Sequence, residues 1–180
     1  MIYFTSDLHF YHENAIKFTD RPYSNADEMN EALIENWNRR IHPNDEVYIL
    51  GDVTMQGPLK AMAVLRHLNG RKYLVRGNHD LFVDKQAFDK TIFEWVKDYH
   101  RLNIDKKQLI LFHFPIEDWD RKKYGSIHLH GHIHSTPEYN LENAKNGILR
   151  YDVGVDANNM MPVSIEEIFE FFKDTKGETE

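Results

Sequence analysis

The chain reads as an α/β domain of two packed mixed sheets with helices on the outside. Three observations point there. Short apolar runs at 2–6, 46–50 and 72–75 alternate with amphipathic helical stretches through the first half, as parallel strands joined by crossovers do. The second half changes to closely spaced runs, one pair flanking Asp105-Lys106-Lys107 as a hairpin would, which predicts antiparallel pairing there. Polar clusters stand where the apolar runs stop, the place where open α/β sheets gather their functional loops.

Ile2–Ser6 is the first strand, and a short helix starts near His12. Asp27–Ile41 is a helix because Met29, Leu33, Trp37 and Ile41 recur every four residues, with Ser24 or Asn25 placed to cap it. Glu46–Leu50 is a buried strand running into Gly51-Asp52. Pro58 suits a first helical turn, and the helix Leu59–Leu68 stops near Gly70. Lys72–Val75 is the third strand. His100–Ile104 and Gln108–Phe112 form the hairpin, and Ser126–His130 and Ile148–Val153 are two further strands. Ser164–Phe172 closes the domain as a helix, with Ser164 and Glu167 spaced as a capping box. The domain is expected to span residues 1–173, followed by a polar, frayed tail at 174–180.

With 180 residues the chain can bury a substantial core. No stretch approaches the roughly 18 apolar residues that would span a bilayer. The N-terminus lacks a basic segment followed by a long apolar one, so it is expected to be strand and not a cleaved signal, which favours the cytoplasm. The absence of cysteine excludes disulfides, thiolate zinc sites and a cysteine nucleophile. A net charge of -7 and a pI near 5.9 argue against an extended nucleic-acid surface. Small anionic substrates stay open, because bound cations reverse a local potential. Nothing in the sequence speaks to oligomeric state.

Eight of the eleven histidines lie in or beside five short blocks: Asp7-Leu8-His9, Gly51-Asp52, Gly77-Asn78-His79-Asp80, His113 and Gly131-His132-Ile133-His134. Asp7 and His9 are two apart, so on a strand they share a face and can grip one ion; His132 and His134 repeat that spacing. Oxygen and imidazole donors without sulfur suit Mn²⁺ first, with Fe²⁺, Zn²⁺, Ni²⁺ and Co²⁺ as alternatives. His128 and His130 lie too far back along their strand to reach the same ion as His132 and are read as structural.

In this order, the five blocks resemble those of the calcineurin-like metallophosphoesterase superfamily, from Asp7 to His134, and Asp152–Asp156 resembles the closing stretch of a small bacterial or phage member. The resemblance implies a four-layer αββα sandwich. It implies two divalent metals, one held by Asp7, His9, Asp52 and His134, the other by Asn78, His113 and His132, with Asp52 bridging. It implies a phosphodiesterase or phosphomonoesterase in which a metal-bridging hydroxide attacks phosphorus while His79 stabilises charge and protonates the leaving oxygen. Asp80 beside His79 is expected to orient that ring or raise its basicity. His12, Arg21 and Trp119 are candidate substrate contacts: His12 follows the first block, Arg21 is suited to clamp phosphate, and Trp119 lies in a loop after His113. The substrate class is a small phosphoester, nucleotides included. A nuclease acting on nucleic-acid ends is the alternative, and a non-catalytic metal-binding scaffold the remote one.

Overall fold

The computed structural model describes residues 1–175. In chain order the strands are β1 (Ile2–Thr5), β2 (Glu46–Ile49), β3 (Arg71–Val75), β4 (Phe93–Lys97), β5 (Tyr99–Ile104), β6 (Lys107–Phe112), β7 (Ile127–His130), β8 (Arg150–Asp152) and β9 (Val163–Ser164). The helices are α1 (Glu13–Phe18), α2 (Ala26–Arg40), α3 (Pro58–His67), α4 (Pro137–Lys145) and α5 (Ile165–Phe171). One sheet has the order β4-β3-β2-β1-β9, the other β5-β6-β7-β8. Both are mixed, and helices flank them, as in the metallophosphoesterase fold.

Period-two alternation divides each strand of the first sheet between two cores. Tyr3, Val47, Ile49 and Leu74 face Met29, Leu33, Trp37, Val64 and Leu65 of α2 and α3. Phe4, Tyr48, Leu50 and Val75 face Leu109, Leu111, Ile127 and Leu129 of the second sheet. Each fully buried side chain of this size contributes about 1.5–3 kcal/mol. Trp37 also donates its indole N–H to Asn69 O at 2.9 Å, so burial leaves no polar group stranded. Asn25, not Ser24, caps α2, its side chain accepting from Glu28 N at 2.9 Å. The capping box of α5 is present at Ser164 and Glu167. Asp105 and Lys106 both take positive φ (49° and 67°), as a two-residue hairpin turn requires.

The second half departs from the sequence expectation in one respect. Only β5 with β6, and β9 with β1, pair antiparallel; β6, β7 and β8 run parallel. The reason is two crossovers: the segment 113–126 returns the chain between β6 and β7, and α4 does so between β7 and β8, a helix the sequence hides because Asn140 and Asn143 occupy its buried face. Asn140 acts as a surrogate strand partner, accepting from Asp152 N at 2.7 Å and donating to Asp152 O at 3.0 Å. Strands β4 and β9 are likewise additional to the expected set. The tail from Lys176 onward lies outside the described residues.

The parallel order has a consequence for function. The C-terminal ends of β1, β2, β3, β6, β7 and β8 open onto a shared rim. Beyond the strands, Ser6 and Gly154 form a parallel bridge between the two sheets, and Asp7 N donates to Gly51 O and Gly131 N to His113 O.

Candidate metal centre

All seven expected ligands sit on that rim, just past the strand ends. Asp7, His9 and His134 form one group able to hold an ion, and Asp52, His113 and His132 form another. Within the first, the Nε2 atoms of His9 and His134 are 3.2 Å apart and His134 Nε2 is 3.9 Å from Asp7 Oδ1. Asn78 joins the second group, its Oδ1 3.1 Å from His113 Nε2. Asp52 Oδ2 lies 3.6 Å from His9 Nε2 and 3.6 Å from His113 Nε2, so one carboxylate oxygen stands between the two groups.

The ligands share a face for a reason other than the one their spacing suggested. Asp7, His9, Asp52, His132 and His134 all have positive φ, between 46° and 74°. They occupy left-handed turns beyond the strands, a conformation uncommon outside glycine and found at functional sites where the surroundings enforce it. Strand alternation therefore does not apply, and His132 and His134 go to different groups. The glycines beside them permit the close approach. A Cβ at Gly131 would stand 1.7 Å from Ser6 Oγ and 2.2 Å from Asp7 Oδ2, and one at Gly77 would stand 2.2 Å from Asp52 Oδ1.

Hydrogen bonds aim the donor atoms. Asp52 Oδ1 accepts from His79 N at 2.9 Å, leaving Oδ2 directed between the groups. Asp7 Oδ2 accepts from His132 N at 2.9 Å and from the Ser6 hydroxyl. His113 Nδ1 faces Leu50 O at 2.7 Å and His134 Nδ1 faces Asp156 Oδ2 at 2.7 Å. Those partners place the proton on Nδ1 and the lone pair of each ring on Nε2, toward its group.

The donor set fits cations. Asp7 Oδ1 is buried without a hydrogen-bond partner among the described residues. Burial raises the Asp7 pKa to about 8 and lowers that of His9 to about 2. A buried carboxylate disfavoured as an anion, beside a neutral imidazole, is stabilised by a positive ion facing both. Burial also lowers His132.

Other expected site residues are placed differently. His79 lies on the cleft, 37% exposed, with Nε2 4.0 Å from Asp52 Oδ2. His12 stacks obliquely on His9 at 5.4 Å, and its buried Nδ1 has no partner among the described residues. Asp80 does not orient the His79 ring: its carboxylate accepts from Asp52 N, Val53 N and Gly77 N at 2.8–2.9 Å, fixing the loops that carry Asp52 and Asn78. Arg21 is turned away from any phosphate. Its guanidinium is buried, donating to both oxygens of Asp156 at 2.8 and 2.9 Å and to the carbonyls of Asp7 and Leu8. Trp119 is a buried anchor and not an open stacking surface, its N–H shared between Ser126 O and Oγ. The residue that sequence reasoning missed is Asp156. Its signal was the run Val153-Gly154-Val155-Asp156, a strand end followed by glycine and aspartate like Leu50-Gly51-Asp52. Burial alone would raise its pKa, but the bonds from His134 and Arg21 hold it well below the usual range.

Two adjoining sets of imidazole and carboxylate donors, with one aspartate standing between them, are two candidate cation sites of the kind a two-metal hydrolase uses. The sequence model of the calcineurin-like phosphoesterases matches residues 1–174. The chain belongs to that family and is a metal-dependent phosphoesterase. It is 35% identical over 179 residues to an uncharacterised protein of Methanocaldococcus jannaschii, covering 97% of this chain and 93% of that one. It is 28% identical to the gene 66 protein of a Mycobacterium phage, covering 96% of each chain. A crystal structure of a protein of unknown function from Aquifex aeolicus superposes with a TM-score of 0.75 at 28% identity, covering 94% of this chain and 98% of that one. No helix among the described residues is long and apolar enough to cross a membrane.

Proposed function

We propose that the chain hydrolyses a small phosphoester, mono- or diester, with two divalent ions. Asp7, His9 and His134 would hold one ion and Asn78, His113 and His132 the other, with Asp52 shared between them. When bound, the ions activate water and neutralise the phosphoryl oxygens; Mn²⁺ suits the donors best. The observation that carries this reading is the placement of Asp52 Oδ2 at 3.6 Å from a histidine of each group.

The chain's own residues do the rest. His79 N–H holds Asp52 Oδ1, so the same residue fixes the shared ligand and presents its imidazole to the cleft. From there His79 donates a proton to the departing oxygen. Asp80, through three backbone N–H groups, keeps the Asp52 and Gly77–Asn78 loops in register and acts as a positioning residue. Asn78 supplies a neutral oxygen, which preserves positive charge at the centre for phosphate in an otherwise acidic protein.

The test is to strip the protein of metal, reload it with Mn²⁺, and assay bis-p-nitrophenyl phosphate beside p-nitrophenyl phosphate. Turnover that needs metal and falls about 10²–10⁴-fold in His79→Ala, with two ions still bound, supports the assignment. Full activity in that variant would remove His79 from the chemistry. Silence of the loaded wild type on both esters would favour the scaffold reading.

A further inference from the structure

A line of aromatic rings leads away from the metal centre along the outer face of the second sheet. Phe114 packs on His132 with ring centroids 4.4 Å apart and on His113 at 4.9 Å. Phe112 follows at 5.6 Å and Tyr99 at 6.4 Å, the last two being direct cross-strand partners on β6 and β5. The outermost rings are open to solvent: Phe114 is 37% exposed and Tyr99 41%. Tyr99 borders a shallow cleft of about 560 Å³ that is also lined by Lys97, His100, Arg101 and Asp120. Cross-strand packing accounts for Tyr99 on Phe112. It does not account for Phe114, a loop residue held half in water against a metal ligand.

We propose that this strip binds the bases of a short single-stranded nucleic acid whose phosphodiester lies at the metal centre. The proposal rests on the phosphoesterase reading and gives it a substrate class. Exposed rings in series are sequence-tolerant stacking platforms, because every base has a π face. A group esterified to a phosphate between the two metal groups is held beside His132, and Phe114 is the ring that adjoins His132. The strip ends at cations, where the next phosphate needs them. Lys97 lies over Trp95 with its ammonium 4.4 Å from the ring, and Arg101 makes an exposed pair with Asp120 at 3.2 Å, a contact weak enough to exchange for phosphate. Aromatic rings flanked by cations suit a nucleic acid better than an apolar peptide or a lipid. The net charge of -7 confines that affinity to the strip, so the ligand is a short segment or a chain end and not a long duplex.

The test uses the full Mn²⁺-loaded chain and a 5′-fluorescein octathymidylate with slowly hydrolysed phosphorothioate links, read by fluorescence anisotropy, with the ribo-octamer alongside. Tyr99→Ala should weaken binding about 5- to 150-fold, one stacked base. Arg101→Ala should weaken it and flatten the dependence of log K on log salt, which for two phosphate contacts has a slope of about -1.4 in the wild type. Unmodified trithymidylate should show the Tyr99→Ala loss mainly as a raised KM, while turnover of bis-p-nitrophenyl phosphate, too short to reach Tyr99, stays within about twofold. Wild-type protein that hydrolyses the aryl diester but does not bind either octamer overturns the strip and leaves the phosphoesterase reading intact. Variants that bind as the wild type does also overturn it. If two bound metals give no turnover of any ester, the phosphoesterase reading fails, and the anisotropy of Tyr99→Ala against wild type still decides the strip.

Discussion

Asp156→Asn separates what the Arg21–Asp156 pair does for the fold from what it does for the metal centre. Asp156 accepts from Arg21 Nε at 2.8 Å, Arg21 Nη2 at 2.9 Å and His134 Nδ1 at 2.7 Å. The Arg21 side chain is fully buried and that of Asp156 is 6% exposed. An asparagine of the same shape keeps one acceptor oxygen, turns an NH₂ toward donors, and removes the charge that balances a buried guanidinium. Breaking a buried pair in this way costs about 3–5 kcal/mol. Loss of the carboxylate behind a metal-binding histidine lowers metal affinity about 10- to 100-fold. Urea denaturation of the metal-free protein reads the first effect and calorimetric titration with Mn²⁺ the second. Adding Arg21→Met should recover roughly 2 kcal/mol of stability, since the stranded charge is gone, although the carbonyls of Asp7 and Leu8 lose a donor. It should not restore metal affinity, because His134 still lacks its carboxylate. A single variant within about 1 kcal/mol of wild type, or a double variant that regains both properties, would refute the reasoning.

Three other outcomes are expected. Gly131→Ala places a methyl group into Ser6 Oγ and Asp7 Oδ2, so the variant should fold yet bind fewer than two ions per chain, as counted by mass spectrometry of the native protein; full occupancy would count against that packing. Asp80→Asn leaves three backbone donors sharing a poorer acceptor and should cost about 2–4 kcal/mol in urea while the pH profile of turnover keeps its shape; a moved profile would return Asp80 to tuning His79. His128 has its pKa lowered to about 3 by burial, and it accepts from Ile116 N at 3.0 Å as a neutral ring. The unfolded chain therefore binds the extra proton between pH 3 and about 6.5, and the contribution of about 5 kcal/mol is full above that window and lost as pH falls through it. The slope of stability against pH from 6.5 to 4 should be shallower in His128→Asn, and an unchanged slope would refute the assignment.

Residue order was enough to read β1, β2 and β3 of the first sheet and the helices α2, α3 and α5, but not its edge strands β4 and β9. The four-residue recurrence of Met29, Leu33, Trp37 and Ile41, the strand at 46–50 and the capping box at Ser164 are local signals, and they survive folding because each side of β1 to β3 meets a core. Block order and the family resemblance were also enough to expect donors at seven positions, and folding brings those seven side chains together on one rim. Helix α4 was not legible, because its buried face carries Asn140 and Asn143, whose polarity is compensated by partners the local pattern does not reveal: the backbone of Asp152 for Asn140 and the Arg150 guanidinium for Asn143. Arg21 looked free because its partner, Asp156, is 135 residues away.

What the sequence determined by itself is the inventory: which atoms can bind cations, and that each stands just past an apolar run. Spacing alone did not say which donors stand together; the tertiary structure groups Asp7 with His9 and His134, and Asp52 with His113 and His132. Asp7, His9, His132 and His134 lie in left-handed turns, where the two-residue period of a strand no longer predicts direction. Their aim comes from contacts across the chain: Asp7 is held by His132 N, Asp52 by His79 N, and His134 by Asp156. A local pattern encodes where a strand ends. The direction of a side chain beyond that end is set by hydrogen bonds to residues that only the packed sheets bring within reach.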